Sequence, residues 1–405
     1  MQFDIMFTSL NLDKRLNTRY LQKKCRDDGI SKFKVRAKSI KYLKIDPSSN
    51  EHNRLFLNFA NYQNEIFQKG IFLNEQELLR RSSGRLFRYI GKEGRTIKRL
   101  YTYLQRTGDN TYYPTYKVHK SVSGRSSLAT PDITNISKAE RDIFIARENK
   151  IFLFLDVKSA EVSFFGLYFK DEEVINLLEK GKDLYSRWAE DLGIGREEVK
   201  ILSHKLTGSA TFPSESHGSN IEIQKKFDDY LKEIHPRYYS GIQSAKDYMK
   251  NNGVSMKTLL GYHTLPKDFS RSYYAGAAGF SQACVSEICH AWLLEMAKLI
   301  KEKSLDYNIA LFIHDEVIIE LPDRNKDINY CLDLAQDAFS RVVGFFQDEL
   351  PQLMLLSIGS KLSTSLNPSS DPKIDLQKIL GKPEHPNSIS AAKGDFFPWQ
   401  AKWIM

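Results

Sequence analysis

The chain has 405 residues, enough for one large domain or two to three smaller ones around a sizeable buried core. Hydrophobic residues make up 41% and aromatics 12%, a globular rather than a disordered composition, and no apolar run approaches the roughly 18 residues of a membrane span. Lys plus Arg number 59 against 50 for Asp plus Glu, a formal charge of +9 that points to a polyanionic partner.

The start, MQFDIMFTSLNLDKR, has no basic segment followed by an apolar one, so no secretion signal is read there. Residues 1–120 are rich in Lys, Arg and Tyr. Fragments such as NEQELLRRSSGRLFRYI and EGRTIKRLYTYLQR carry apolar residues at spacings of three and four, which predicts helices with basic polar faces. Such faces fit either plain solvation or contact with a DNA backbone. IFLFLD at 151–156 is a short apolar run ending in an acid, the pattern of a buried strand. Residues 171–250 read as helices, and 284–303 as a further apolar helix. IALFIHDEVIIEL at 309–321 places two apolar strands around a polar tip, which predicts a hairpin. Residues 364–395 hold most of the late Pro, Ser, Asn and Gly and read as loop or tail. The cysteines, Cys25, Cys284, Cys289 and Cys331, form no CxxC pair and no zinc pattern, as expected for reduced thiols in a cytoplasm.

Two of these strands end in acids: Asp156 closes one, and Asp315 with Glu316 sits at the hairpin tip. Carboxylates beside apolar strands are costly unless something neutralises them. Oxygen ligands without a His or Cys cluster suit Mg²⁺, or Mn²⁺, and two such ions about 3.5–4 Å apart can clamp a phosphoryl transfer. Taken singly, either segment fits a helix cap or a polar turn better than a metal site.

Together the segments resemble the family A (DNA polymerase I-like) DNA polymerases. DVKSAE at 156–161 looks like motif A of that family, commonly DYSQIE, and HDEV at 314–317 like its motif C. SGRSSLATPDITNI at 123–136 is similar to TGRLSSxxPNLQNI, and RDIFIA at 141–146 to RxxFxA. KDEEVINLLEKGKDLYSRWAEDLGI at 170–194 is similar to the helix pair after motif A, TLLGYHTLP at 258–266 to TLFGRRRYLP, and Gln282 stands at the Gln of PIQGTAAD. The segments occur in the family's order over roughly residues 115–325.

The resemblance implies an α+β fold with a right-handed arrangement: a small antiparallel palm sheet, inserted helical fingers and a reduced helical thumb. The implied division is 1–120 basic region and thumb, 121–170 palm with motif A, 171–265 fingers, 266–363 palm with motif C, and 364–405 C-terminal extension. The implied function is template-directed addition of deoxynucleotides to a primer 3′ end with two Mg²⁺ ions, by a monomer acting on primer–template DNA and dNTPs, alone or with other replication proteins. Asp156 and Asp315 would hold the metals, with the backbone carbonyl of Val157, and Glu316 is a weaker catalytic candidate. Glu161 would exclude the ribose 2′-hydroxyl. Arg125 and Arg141 would lie near the primer–template backbone, His314 at the primer terminus and Gln282 in its minor groove. Tyr185 stands where the family has a His touching the incoming triphosphate.

The chain departs from the family at the fingers helix, RxxxKxxxFxxxYG. One register over KILSHKLTGSATFPSE aligns Lys200, His204, Gly208 and Phe212; the other makes Lys205 the triphosphate lysine and puts Ser209 and Pro213 at the aromatic positions. Either loses the family's aromatic platform, which predicts slow, error-prone synthesis. Between Pro266 and Gln282 the chain is shorter than the family, with Tyr274 and Ala278 in place of its Arg and Asn. Residues 1–120 hold no D-x-E exonuclease signature, so no proofreading is expected, and the compact layout suggests a mobile element, phage or plasmid. The rival readings are a single-subunit RNA polymerase, a template-independent nucleotidyltransferase and an inactive nucleic-acid-binding scaffold.

Overall fold

The computed structural model describes residues 43–44, 50–83, 91–118, 121, 123, 125–129, 131–208, 221–261, 263–264, 272–346 and 350–367. The expectations for Ser209, Phe212, Pro213, Pro266 and Cys25, and for the tail beyond residue 367, lie outside these residues.

Among the described residues the chain runs β1 (Leu43–Lys44), α1 (Asn50–Ile66), β2 (Ile71–Leu73), α2 (Glu75–Ser83), α3 (Gly91–Thr107), β3 (Thr111–Tyr112), β4 (Tyr116–Lys117), β5 (Ser127–Leu128), β6 (Phe144–Ile145) and β7 (Lys150–Val157). Five helices follow: α4 (Ala160–Tyr168), α5 (Glu172–Glu179), α6 (Leu184–Leu192), α7 (Arg196–Thr207) and α8 (Ile221–Ile234). Then come α9 (Pro236–Asn252), β8 (His263–Thr264), α10 (Ser272–Glu302), β9 (Asn308–Ile313), β10 (Glu316–Pro322), α11 (Asn325–Phe345) and β11 (Ile358–Ser363). The fold is mixed helix and strand with small antiparallel sheets.

A four-stranded sheet of order β11-β7-β10-β9 forms the centre. Its two inner strands, KIFLFLDV and EVIIELP, are nearly continuous apolar runs because five consecutive residues of each are buried. Alternation would expose one face, and here both faces are covered. The hairpin expected at 309–321 is β9 and β10, joined by a two-residue turn in which His314 takes a left-handed φ of 59°. β11 was not anticipated: SIGSKLSTS has no apolar alternation, yet it pairs along the outer edge of β7.

The helices after β7 are cut by capping residues. Asp171 accepts from Val174 N to start α5, and Asp183 accepts from Ser186 N to start α6. Asp171 also accepts from Tyr238 N at 2.9 Å and from His235 Nδ1 at 3.1 Å. His235 Nε2 in turn accepts from Trp188 Nε1 at 2.9 Å, so one buried polar chain ties α5, α6 and α9. α9 and α10 cross closely at Gly276, where a Cβ would meet Ala245 O at 2.5 Å. α10 starts at Ser272, twelve residues before the apolar helix read from the sequence at Cys284, so its first turns fall within the segment aligned between Pro266 and Gln282.

Candidate active site

Strand register brings the acids together. On β7, Asp156 stands opposite Glu316 of β10 and opposite Gly359 of β11. Val157 N donates to Asp315 O at 3.3 Å, which draws the hairpin tip against the end of β7. At Gly359 a Cβ would come within 2.9 Å of Asp156 Oδ1, so only glycine leaves that carboxylate its place. Asp315 is half-buried, and burial raises its pKa; Asp156 and Glu161 raise it further, while Arg125 opposes them. Burial lowers the pKa of Arg141, and the charges of Glu316 and Asp132 work against that. Among the described residues no group of three or more His, Cys, Asp and Glu side chains is gathered as a metal cage.

Beyond the pair the chain reverses through Ser159, at a left-handed φ of 46°, into α4. Glu161 lies in the first turn of that helix. Its carboxylate receives Arg125 Nη2 at 2.6 Å on one oxygen and Gln282 Nε2 at 3.4 Å on the other. Three residues placed by separate motifs thus meet, though 121 residues separate Glu161 from Gln282. Arg141 is held by its own segment, donating to Ile136 O at 3.0 Å and Thr134 O at 3.4 Å. His314 is exposed at the hairpin tip.

The α6 and α7 residues sit differently. Tyr185 is buried, its phenol pKa raised chiefly by that burial, and Arg196 lies 5.5 Å over its ring. In this conformation its ring is packed inside α6 rather than presented to solvent. Lys200 is exposed, whereas His204 and Lys205 are half-buried. Burial lowers the His204 pKa, Glu161 works against that, and Lys200 and Arg125 add to it, so α7 faces the Glu161 cluster. α7 stops at Gly208, whose φ of 83° and N–H to His204 O and Lys205 O form a left-handed C-cap. The first fingers register thus places its aromatic position at the end of the helix, and Phe212 lies outside the described residues.

Two parts of this arrangement escaped the sequence reading. Asp183 gathers Arg196 Nε at 2.9 Å, Ser186 N at 2.9 Å and Ser159 Oγ at 3.0 Å. Burial opposes its ionisation, but these donors outweigh burial and hold its pKa down at about 2. The bend after Asp156 is thereby tied to α6 and α7. Beside Arg125, Ser126 Oγ lies 2.7 Å from His290 Nε2, and His290 Nδ1 donates to Ser286 O at 2.7 Å. With Nδ1 carrying the proton, Ser126 donates to Nε2. His290 is otherwise walled by Phe56, Phe59 and Phe312 at 4.6–4.9 Å between centroids, and burial lowers its pKa to about 4. Only the D-x-x-S spacing of Asp183 and Ser186 signalled a cap; the long-range partners carried no local pattern.

No family model matches the chain. It is 22% identical over 247 residues to DNA polymerase I of Aquifex aeolicus, covering 57% of this chain and 43% of that protein. It is 25% identical over 241 residues to DNA polymerase theta of Caenorhabditis elegans, covering 54% of this chain and 15% of the relative. The chain thus spans less than half the length of these relatives. Among solved structures it resembles the POL domain of Pol1 from M. smegmatis in complex with DNA primer-template and dNTP, with a TM-score of 0.55, 15% identity, and coverage of 80% of this chain and 66% of that one. Over about half of its length the chain is thus similar to DNA polymerase I, a family A DNA polymerase, and it shares the fold of a Pol1 polymerase domain.

Proposed function

We propose that this chain is a DNA-directed DNA polymerase core that extends a primer 3′ end. The observation that carries the reading is the approach of the hairpin tip bearing Asp315 to the end of β7 bearing Asp156, through Val157 N to Asp315 O, with the Arg125–Glu161–Gln282 cluster beside them. In this reading the central sheet is the palm, α5–α9 with β8 are the fingers, and the basic elements before residue 120 are a reduced thumb. Solved relatives hold primer–template DNA and dNTP, and those are the proposed partners here.

The donor set fits a hard divalent cation: two carboxylates, with Asp156 adding to the effect of burial in raising the Asp315 pKa, and a peptide carbonyl at Val157 beside Asp156 in the chain. Asp156, Asp315 and the Val157 carbonyl would hold Mg²⁺. Bound there, the ions would lower the pKa of the primer hydroxyl and neutralise the charge developing on the leaving pyrophosphate. The chain's own residues then set orientation and selectivity. Arg125 and Gln282 fix Glu161, whose carboxylate takes the space of a 2′-hydroxyl. Lys200, His204 and Lys205 line the helix that would meet the triphosphate, supplying positive charge where negative charge accumulates. Arg141 and His314 flank the hairpin tip where the primer end would lie. Residues 1–120 contain no D-x-E pattern, and the proposal includes no 3′→5′ exonuclease.

A template-independent transferase is the second reading, favoured by the end of α7 at Gly208, before any aromatic platform. One assay tests both. A labelled primer, with and without template, is incubated with Mg²⁺ and each dNTP, then each rNTP, and separately with no nucleotide. Templated addition of the matching dNTP alone is expected. Equal addition without template supports the second reading, and no addition under any condition sinks both.

A further inference from the structure

Tyr248 on α9 and His263 on β8 lie with their rings parallel to within 2° and centroids 6.5 Å apart. Tyr248 is 38% exposed, a large aromatic left in solvent near the end of its helix. His263 is half-buried and cannot turn freely, because its Nδ1 donates to Ser255 O at 2.7 Å. Ser255 also binds the backbone of Thr264 in both directions, so the two-residue strand is clamped to the loop that precedes it. The clamp fixes one ring, and α9 fixes the other. Aromatic side chains held parallel and exposed present a flat surface that any planar ring can extend.

The position of this pair is set by its chain neighbours. Met249 packs on Gly276 of α10, and Thr264 packs on Gly279, where an added Cβ would meet their side chains at 3.0 and 2.8 Å. Gln282 lies three residues farther along α10, about 4.5 Å of helix rise, and reaches Glu161. The chain neighbours of the aromatic pair thus meet α10 within about two helical turns of the cluster that borders the aspartates. Exposed Lys250 follows Tyr248 by two residues, and exposed Lys257 lies in the loop leading to His263.

We propose that Tyr248 and His263 form a stacking platform for an unpaired base of the template strand immediately outside the polymerising site. The proposal rests on the polymerase reading for the strand's identity. Parallel faces bind a base without regard to its sequence, and nearby lysines suit its phosphate. A template strand must pass its unpaired bases along the protein beside the active site, and a platform there would hold the next base clear of the one being copied.

The test uses the full chain and two DNAs: a primer–template with a short 5′ template overhang, and a blunt duplex of the same paired length. 2-Aminopurine occupies the second unpaired template position, the one after the base to be copied. Binding by the wild type should quench its emission, Tyr248→Phe should keep the quench, and Tyr248→Ala should lose it. The preference in Kd for the overhung DNA should fall roughly five- to a hundredfold in Tyr248→Ala, with blunt-duplex binding unchanged. Absence of quenching in the wild type overturns the proposal without any variant. So does a Tyr248→Ala protein that loses affinity equally for both DNAs. A protein that quenches the base through Tyr248 but never extends a primer would sink the polymerase reading and leave the platform standing.

Discussion

The sheet edge bearing Asp156 and Asp315 and the helix bearing Lys200 and His204 address the same carboxylate, Glu161, but they are built in opposite ways. Asp156 is set by strand register, with a fixed partner on each side, so that a one-residue slip would turn it to the other face of the sheet, and Asp315 sits in the turn that opens β10. The cations of α7 hang from a helix surface, one of them exposed, and the helix ends three residues past His204. Backbone ladders hold groups whose spacing must be constant through a reaction. Long side chains on a helix suit a ligand that arrives and leaves, because they can follow it.

The largest expected effect separates the two regions outright. Asp156→Asn or Asp315→Asn should slow primer extension roughly a thousandfold or more, about 4 kcal/mol of transition-state stabilisation, while DNA affinity changes little. Lys200→Ala should cost far less, mostly in nucleotide KM. Single-turnover rates and a DNA titration check both; near wild-type extension by Asp315→Asn would remove the sheet edge from the chemistry.

The next effect concerns what supports Arg125. His290 has its pKa lowered by burial to about 4, so the unfolded chain binds a proton below about 6.5 that the folded chain refuses. Stability therefore falls as pH drops through that window, by about 2 kcal/mol between pH 6.5 and about pH 5. His290→Gln does not titrate and can still accept from Ser126, so its urea-derived stability should lose this slope. A mutant with the wild-type pH dependence would show that the burial is not what matters there.

Glu161→Ala tests the point where the two regions meet. Opening the space and freeing Arg125 and Gln282 should lower the preference for dNTP over rNTP by roughly tenfold or more. The ratio of kcat/KM for the two nucleotides on one template is the readout, and an unchanged ratio would take Glu161 out of the sugar pocket.

The smallest effect tests the helix end. Gly208 sits at φ 83°, where a Cβ is strained, so Gly208→Ala should destabilise the protein by about 1 kcal/mol. For the same reason an aromatic at 208 would not restore a stacking platform, and Gly208→Phe should fail to lower nucleotide KM. An improved KM would mean that α7 runs on when nucleotide binds.

Much of the sheet region was legible because its signals are local. IFLFLD and the hairpin around HDEV announce buried strands by composition, and their terminal acids stand out against it. The helix breaks after β7 follow Asp and Gly residues at cap positions. β11 was not legible, because a polar Gly/Ser segment becomes a strand only when β7 offers it an unpaired edge. The Arg125–Glu161 and Ser126–His290 contacts bridge 36 and 164 residues, and no spacing rule reaches that far. The fingers helix ends at the T-G step at 207–208, which puts the first register's aromatic position at the helix end, while the aromatic positions of the second lie outside the described residues.

α10, at 31 residues, is about 46 Å long and anchors a different part of the molecule at successive points. Gln282 meets Glu161, Glu287 meets His52 and Thr258, His290 meets Ser126, and Glu295 meets Arg341. These four attachments lie around the shaft at staggered heights, so the helix cannot slide lengthwise without breaking all of them together. It behaves as a keel: neighbouring elements can swing about it, but the distance between its stations is constant. In hydrogen exchange its central amides should be among the last to open, and any closure around a nucleotide should appear as rotation of α7 and α9 past this fixed axis.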